Sequence, residues 1–162
     1  MLTTKDIQKY CQPYLDANVE GCAAILTPPD KMDPYILSSE NLAVTAGKAE
    51  SNRYLFAMDS SEIWKRVRDQ NQKLLAILHN HPLGCAAAPS STDIREGSRF
   101  SWYLDSSGER RDILWLIYNG KDLRAFNINP YHLDPDVVRN STGNAVHLIK
   151  LETIQWFEET PE

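Results

Sequence analysis

Leu74-Leu75-Ala76-Ile77-Leu78-His79-Asn80-His81-Pro82 is the stretch on which the reading of this chain turns. The first five residues are apolar at both even and odd positions, the pattern of a strand covered on both faces. Side chains alternate along a strand, so His79 and His81 fall on one face, with Leu75 and Ile77 before them. Pro82 has no N–H for a ladder, so pairing ends there and both histidines stand at the rim of a sheet. Two imidazoles at i and i+2 on a strand end can reach one ion. Asp93, in the first turn of the helix that Pro89-Ser90 opens, can fold back as a third ligand. Such a set leaves a fourth position for water, as catalytic zinc sites do. A base within reach of that water is the remaining requirement.

The same residues also have plainer readings. Ser90-x-x-Asp93 is a capping box in its own right, with Ser90 at the N-cap and Asp93 at the third helical position. Histidines at a strand end are often hydrogen-bonded surface groups. Cys85 lies in the loop beside these residues but has no helper base near it in sequence, and it is read as inert. His132 and His147 have no partners at metal-binding spacing.

Outward from this stretch, Thr3 and Asp6 mark a helix start, and Ile7, Tyr10, Cys11, Tyr14 and Leu15 recur at helical spacing. Pro13 is expected to kink that helix or split it in two. Cys22 to Leu26 is a buried strand of small apolar residues stopped by Pro28-Pro29. Tyr35–Leu37, Leu42–Val44 and Arg53–Ala57 read as further strands. A helix from Ser60 to about Asn71 takes Asp59 as cap and Glu62 to close a capping box, with Ile63, Trp64 and Val67 inward. The helix opened by Ser90 is expected to carry Ile94, Phe100, Trp102 and Leu104 along one stripe, followed by a polar loop over Asp105–Asp112. Asn119-Gly120-Lys121-Asp122 between Ile113–Tyr118 and Leu123–Ile128 signals a hairpin. Asp134-Pro135 opens a short helix, and Asn144–Glu159 reads as another, with Val146, Ile149, Ile154 and Phe157 inward. The layout is α/β or α+β: one mixed sheet of about six strands with helices packed on it.

At 162 residues the chain suits one domain and needs no crosslink merely to fold. A formal net charge of -5 leaves no basic excess to neutralise phosphates, which argues against nucleic acid as a partner. Three cysteines without a C-x-x-C pair fit no disulfide framework. With no long apolar run and no signal-like start, the expected setting is the cytoplasm, away from membranes. A metal-dependent nuclease lacks its basic patch here, and a deaminase lacks its Pro-Cys-x-x-Cys.

Taken together, a Glu, then His-x-His-Pro, then Pro-Ser-x-x-Asp resembles the JAMM zinc metalloproteases, also called the JAB or MPN+ family, in its bacterial or phage branch. Glu20-Gly21-Cys22-Ala23 is similar to the family's Glu-x-Cys-Gly opening of a first strand, and Glu40-Asn41-Leu42-Ala43 to its Asn-containing strand. Phe56-Ala57-Met58-Asp59 resembles the segment ahead of the metal strand. The resemblance spans residues 1–130 as a JAB/MPN+ domain with a curved, cytidine-deaminase-like layout. Residues 131–162 form an extension, expected to be helical and packed on the same domain. By resemblance, His79, His81 and Asp93 hold Zn2+, Glu20 takes a proton from the attacking water, and Ser90 stabilises the oxyanion.

The implied activity is a peptidase or isopeptidase cutting after the C-terminal tail of a ubiquitin-like protein, held as an added strand. An assembly partner or a second copy of the chain is the other companion implied. The alternatives are a non-catalytic scaffold of the same fold and a phage tail-assembly protein acting on a tail protein. The chain departs from the family in three places. Eight residues separate His81 from Ser90 where seven are usual, Ala23 replaces glycine, and Asn80 replaces Ser or Thr.

Overall fold

In the computed structural model of the chain, residues 1–30, 33–39, 60–129 and 146–160 are described. The two strands expected at Leu42–Val44 and Arg53–Ala57, the Asp59 cap and the Asp134-Pro135 helix lie outside these residues. The elements are β1 (Leu2–Thr3), α1 (Thr4–Asp16), β2 (Cys22–Thr27), β3 (Tyr35–Ser39), α2 (Ser61–Asp69), β4 (Lys73–Asn80), α3 (Ser91–Gly97), β5 (Trp102–Leu104), β6 (Arg110–Asp112), β7 (Leu114–Tyr118), β8 (Leu123–Ile128), β9 (Val146–Ile149), a 3-10 turn (Leu151–Thr153) and β10 (Phe157–Glu158). Among the described residues, six strands form one mixed sheet in the order β3-β2-β4-β7-β8-β9, flanked by three helices. β4 and β7 run parallel, and the other neighbours in the sheet are antiparallel.

The double-sided apolar pattern of β4 has its counterpart in two cores. On one face Ile77 packs with Ile63 and Val67 of α2, Ile94 of α3 and Trp115 of β7. On the other, Ala76 and Leu78 pack with Ile7, Cys11 and Leu15 of α1. Leu75 departs from strict alternation. Ile25 pairs with Ala76 but Leu26 pairs with Leu74, so Leu75 is the extra residue of a β-bulge. It packs with the α1 face and not on the histidine face as expected.

Helix α1 carries the expected capping box between Thr3 and Asp6 and runs unbroken through Pro13. The bond that Pro13 forgoes is to the carbonyl of Lys9. Both residues are exposed, so water can take that bond while Ile7, Cys11 and Leu15 anchor the other side. The N-cap of α2 is Ser60, and no side-chain capping bond forms there; Glu62 pairs instead with Arg66 at 3.1 Å.

Two further expectations are overturned. Helix α3 ends at Gly97, and Trp102 and Leu104 are not on it. They face outward from β5 while Tyr103 between them is buried, a strand's alternation. β5 pairs with β6, so the expected polar loop at 105–112 contains a strand. Its turn is closed by Asp105, whose Oδ1 accepts from the N–H groups of Ser107 and Glu109. The second concerns Asn144–Glu159, whose described part holds two short strands and the 3-10 turn between them in place of an α-helix. Val146 and Ile149 pack on opposite faces of the sheet, as residues three apart in a strand do. β9 extends the sheet beside β8, and β10 pairs with β1, burying Ile154 and Phe157 against α1. Among the described residues no helix is long and apolar enough to cross a membrane.

Candidate metal centre

The start of β2, the end of β4 and the first turn of α3 meet at one sheet edge. Cys22 pairs with His79, which sets Glu20 two residues before that register point and beside the histidines. Glu20 Oε1 lies 3.2 Å from His79 Nε2 and 3.8 Å from His81 Nε2. From the other side, Asp93 places Oδ1 at 3.2 Å from His79 Nε2 and Oδ2 at 2.8 Å from His81 Nε2. His79 and Asp93 have no exposed surface, Glu20 retains 1% and His81 6%. Access therefore comes on the His81 side.

The second nitrogen of each ring decides what the first can do. His79 Nδ1 faces the Gly21 carbonyl at 3.2 Å, and His81 Nδ1 faces that of Ala86 at 2.7 Å. A carbonyl only accepts, so each Nδ1 carries a proton and donates it. Each Nε2 is thereby turned toward the carboxylates, where it holds a proton in the metal-free protein or a lone pair for a cation that takes the proton's place. Metal-binding histidines are oriented in this way. One ligand atom from each of Glu20, His79 and His81 fits within 4.8 Å of the others, so the group could bind a metal ion.

The electrostatics point the same way. Burial disfavours a charged His79, yet the carboxylates of Asp93 and Glu20 outweigh it and push its pKa up to about 10. Burial also opposes ionisation of Asp93, but His79 and His81 pull its carboxyl well below the usual carboxylate range. For Glu20 burial dominates and raises the pKa despite His79. Two carboxylates this deep need positive charge among them, supplied by a protonated imidazole or by a cation.

The loop between His81 and Ser90 accommodates its eight residues with a tight turn. Cys85 N–H donates to Pro82 O at 3.1 Å, with Gly84 at φ 86, as the third position of a type II turn requires. Asn119, from the β7–β8 turn, donates to Cys85 O at 2.8 Å and fixes the loop, so that Ala86 O meets His81. Ser90 caps α3: its Oγ accepts from Asp93 N–H at 3.1 Å, and its own N–H donates to Asp93 Oδ2 at 3.0 Å. The capping reading of Ser90-x-x-Asp93 is realised, and the second bond of the same box, from Ser90 N–H, holds the Asp93 carboxylate beside the histidines. A cavity of about 220 Å³ lies here, lined by Glu20, His81, Cys85, Ala86, Ala88 and Ser90.

All five expected site residues come together: Glu20 and Asp93 each against both histidines, and Ser90 lining the cavity beside them. Two asparagines were not singled out by sequence. Asn119 carried only its hairpin signal. Asn80 stood out solely as a residue of unusual type between the histidines. It is wholly buried and bonded to the chain on both sides of Glu20. No protein-family model matches the chain, and no curated protein matches it.

Proposed function

We propose that this protein is a zinc-dependent peptidase or isopeptidase of JAMM type. The observation that carries this reading is the convergence of Glu20, His79, His81 and Asp93 from three elements, with Ser90 beside them on a small cavity. Two nitrogens and a carboxylate suit zinc and leave a position open for water. His79, His81 and Asp93 are the ligands by the resemblance: Asp93 sets one oxygen against each Nε2, at 3.2 and 2.8 Å, and Glu20, whose Oε1 stands 3.2 and 3.8 Å from them, is left as the base. Zinc in such a site supplies a Lewis acid and lowers the pKa of water to about 7.

Glu20, kept from full acidity by burial, takes the proton of the attacking water and passes it to the leaving amine. Ser90 Oγ accepts a bond from Asp93 N–H and keeps its own proton to donate, so it can stabilise the oxyanion at the carbonyl under attack. The cavity is smaller than the roughly 300–1,000 Å³ usual for small-molecule sites, and Ala86 and Ala88 line it. That supports a narrow, extended peptide of small residues, such as the C-terminal tail of a ubiquitin-like protein. A phage tail protein would present the same chemistry. A scaffold without catalysis has no use for two carboxylates buried against two imidazoles, which costs stability where apolar residues would not.

The test is metal analysis of the purified chain, with hydrolysis of ubiquitin-like tail conjugates followed with and without chelator. One equivalent of zinc and chelator-sensitive cleavage are expected. Glu20→Gln should keep the zinc and lose about 10²–10⁴-fold in rate, the usual worth of a general base. Zinc-free protein, or full activity in Glu20→Gln, overturns the reading.

A further inference from the structure

Alternation along β4 turns Asn80 away from the two histidines that flank it. Its side chain is fully buried, and both ends of its amide are used. Oδ1 accepts from Gly21 N–H at 2.6 Å, and Nδ2 donates to the Val19 carbonyl at 3.0 Å. These are the peptide groups on either side of Glu20. The register of β2 begins at Cys22, so Val19, Glu20 and Gly21 lie ahead of its ladder. A planar amide is the smallest rigid side chain with one donor and one acceptor to bridge such a gap; Asp lacks the donor, and Ser is too short to meet both.

We propose that Asn80 is a positioning residue. By clamping the chain before and after Glu20, it sets where the Glu20 carboxylate stands against His79, His81 and Asp93. The same strand end thus delivers two ligands from one face and the brace for the base from the other. The inference rests on Glu20 acting as the base. It predicts that loss of Asn80 is felt through Glu20 and not through the metal.

The experiment uses the zinc-loaded full chain, with Asn80→Ala, Glu20→Gln and the double variant compared for zinc content, kcat, KM and amide hydrogen exchange. In Asn80→Ala, exchange at Gly21 should quicken at least about tenfold while Ala24 and Ile25, deeper in β2, keep their protection. Zinc should stay at one equivalent, and kcat should fall about 10–100-fold with KM unchanged, the usual cost of losing an outer-sphere partner. The double variant should be no slower than Glu20→Gln alone. Additive losses, an unchanged kcat, or faster exchange along all of β2 overturn the proposal. If Asn80→Ala does not fold, Asn80→Ser, which reaches at most one of the two groups, carries the same comparison. A wild-type protein that hydrolyses nothing overturns the peptidase reading and not the clamp, which then stands or falls on the Gly21 exchange rate.

Discussion

His79 lies between two carboxylates with its Nδ1 committed to Gly21, so its titration is confined to Nε2. Its folded pKa stands above the ordinary 6.5, at about 10. A basic group raised in this way contributes stability that is complete below pH 6.5 and is lost as pH climbs toward 10. Asp93 has the opposite profile: its contribution is present above the ordinary aspartate pKa and is lost as pH falls below it. Glu20, raised by burial, subtracts stability as it ionises. Thermal melts of metal-free protein should therefore fall between pH 6.5 and 10, and a Tm rising over that interval would contradict the assignment. Metal must displace the same proton, so zinc affinity should rise with pH over this range. Titration calorimetry in buffers of different ionisation enthalpy reads the proton released. Ser90 caps α3 and, in the proposed mechanism, donates to the oxyanion; one variant separates the two. Ser90→Ala should cost about 1 kcal/mol of stability as a lost N-cap and about 10²–10³-fold in kcat as a lost oxyanion donor. Denaturant melts and kinetics on the same sample check both, and a stability loss without a rate loss would leave Ser90 a cap alone.

Among the elements, the approach to β2 is the most tightly constrained. A Cβ on Gly21 would meet the Tyr14 ring at 2.6 Å. Tyr14 belongs to α1, whose position is fixed by Ile7, Cys11 and Leu15 in the core, so the ring has little freedom to retreat. Gly21→Ala is expected to destabilise the fold by about 1–3 kcal/mol, the cost of overpacking, and to displace the adjacent Glu20. Equilibrium unfolding together with kcat tests this, and a variant as stable and active as wild type would show that α1 yields. The bulge at Leu75 also acts at this scale. It offsets the chain by one residue ahead of Ala76, so that Leu74, three residues before Ile77, shares with it the face that looks toward α2 and α3.

At the scale of the molecule, the sheet is completed by residues far from the site. β9 pairs with β8, and Phe157 closes the core on which α1 rests. Phe157→Ala should lose about 3–5 kcal/mol, whereas Leu104→Ala, on the exposed face of β5, should stay within about 0.5 kcal/mol. Paired denaturation curves decide this; equal effects would mean that the C-terminal segment is not part of the cooperative core.

The apolar run of β4, the Thr3 and Ser90 caps, the Asn119-Gly120 hairpin and the order Glu20, His79, His81, Asp93 could all be read from the chain. Each is a local pattern, in which a period, a cap or a turn is written in adjacent residues. What the chain alone left open depended on contacts between distant segments. Whether 144–159 was helix or strand turned on the free edge of β8, which no periodicity in Val146–Phe157 reveals. Trp102 and Leu104 matched a helical stripe until β6 offered a pairing partner. Ser90-x-x-Asp93 fitted a cap and a ligand equally well. Only the approach of β4 to α3, with Glu20 ahead of Cys22, placed the capped Asp93 carboxylate in one buried cluster with both histidines. Asn80 had no visible role in sequence, because its partners lie some sixty residues upstream and are peptide groups that any residue would supply.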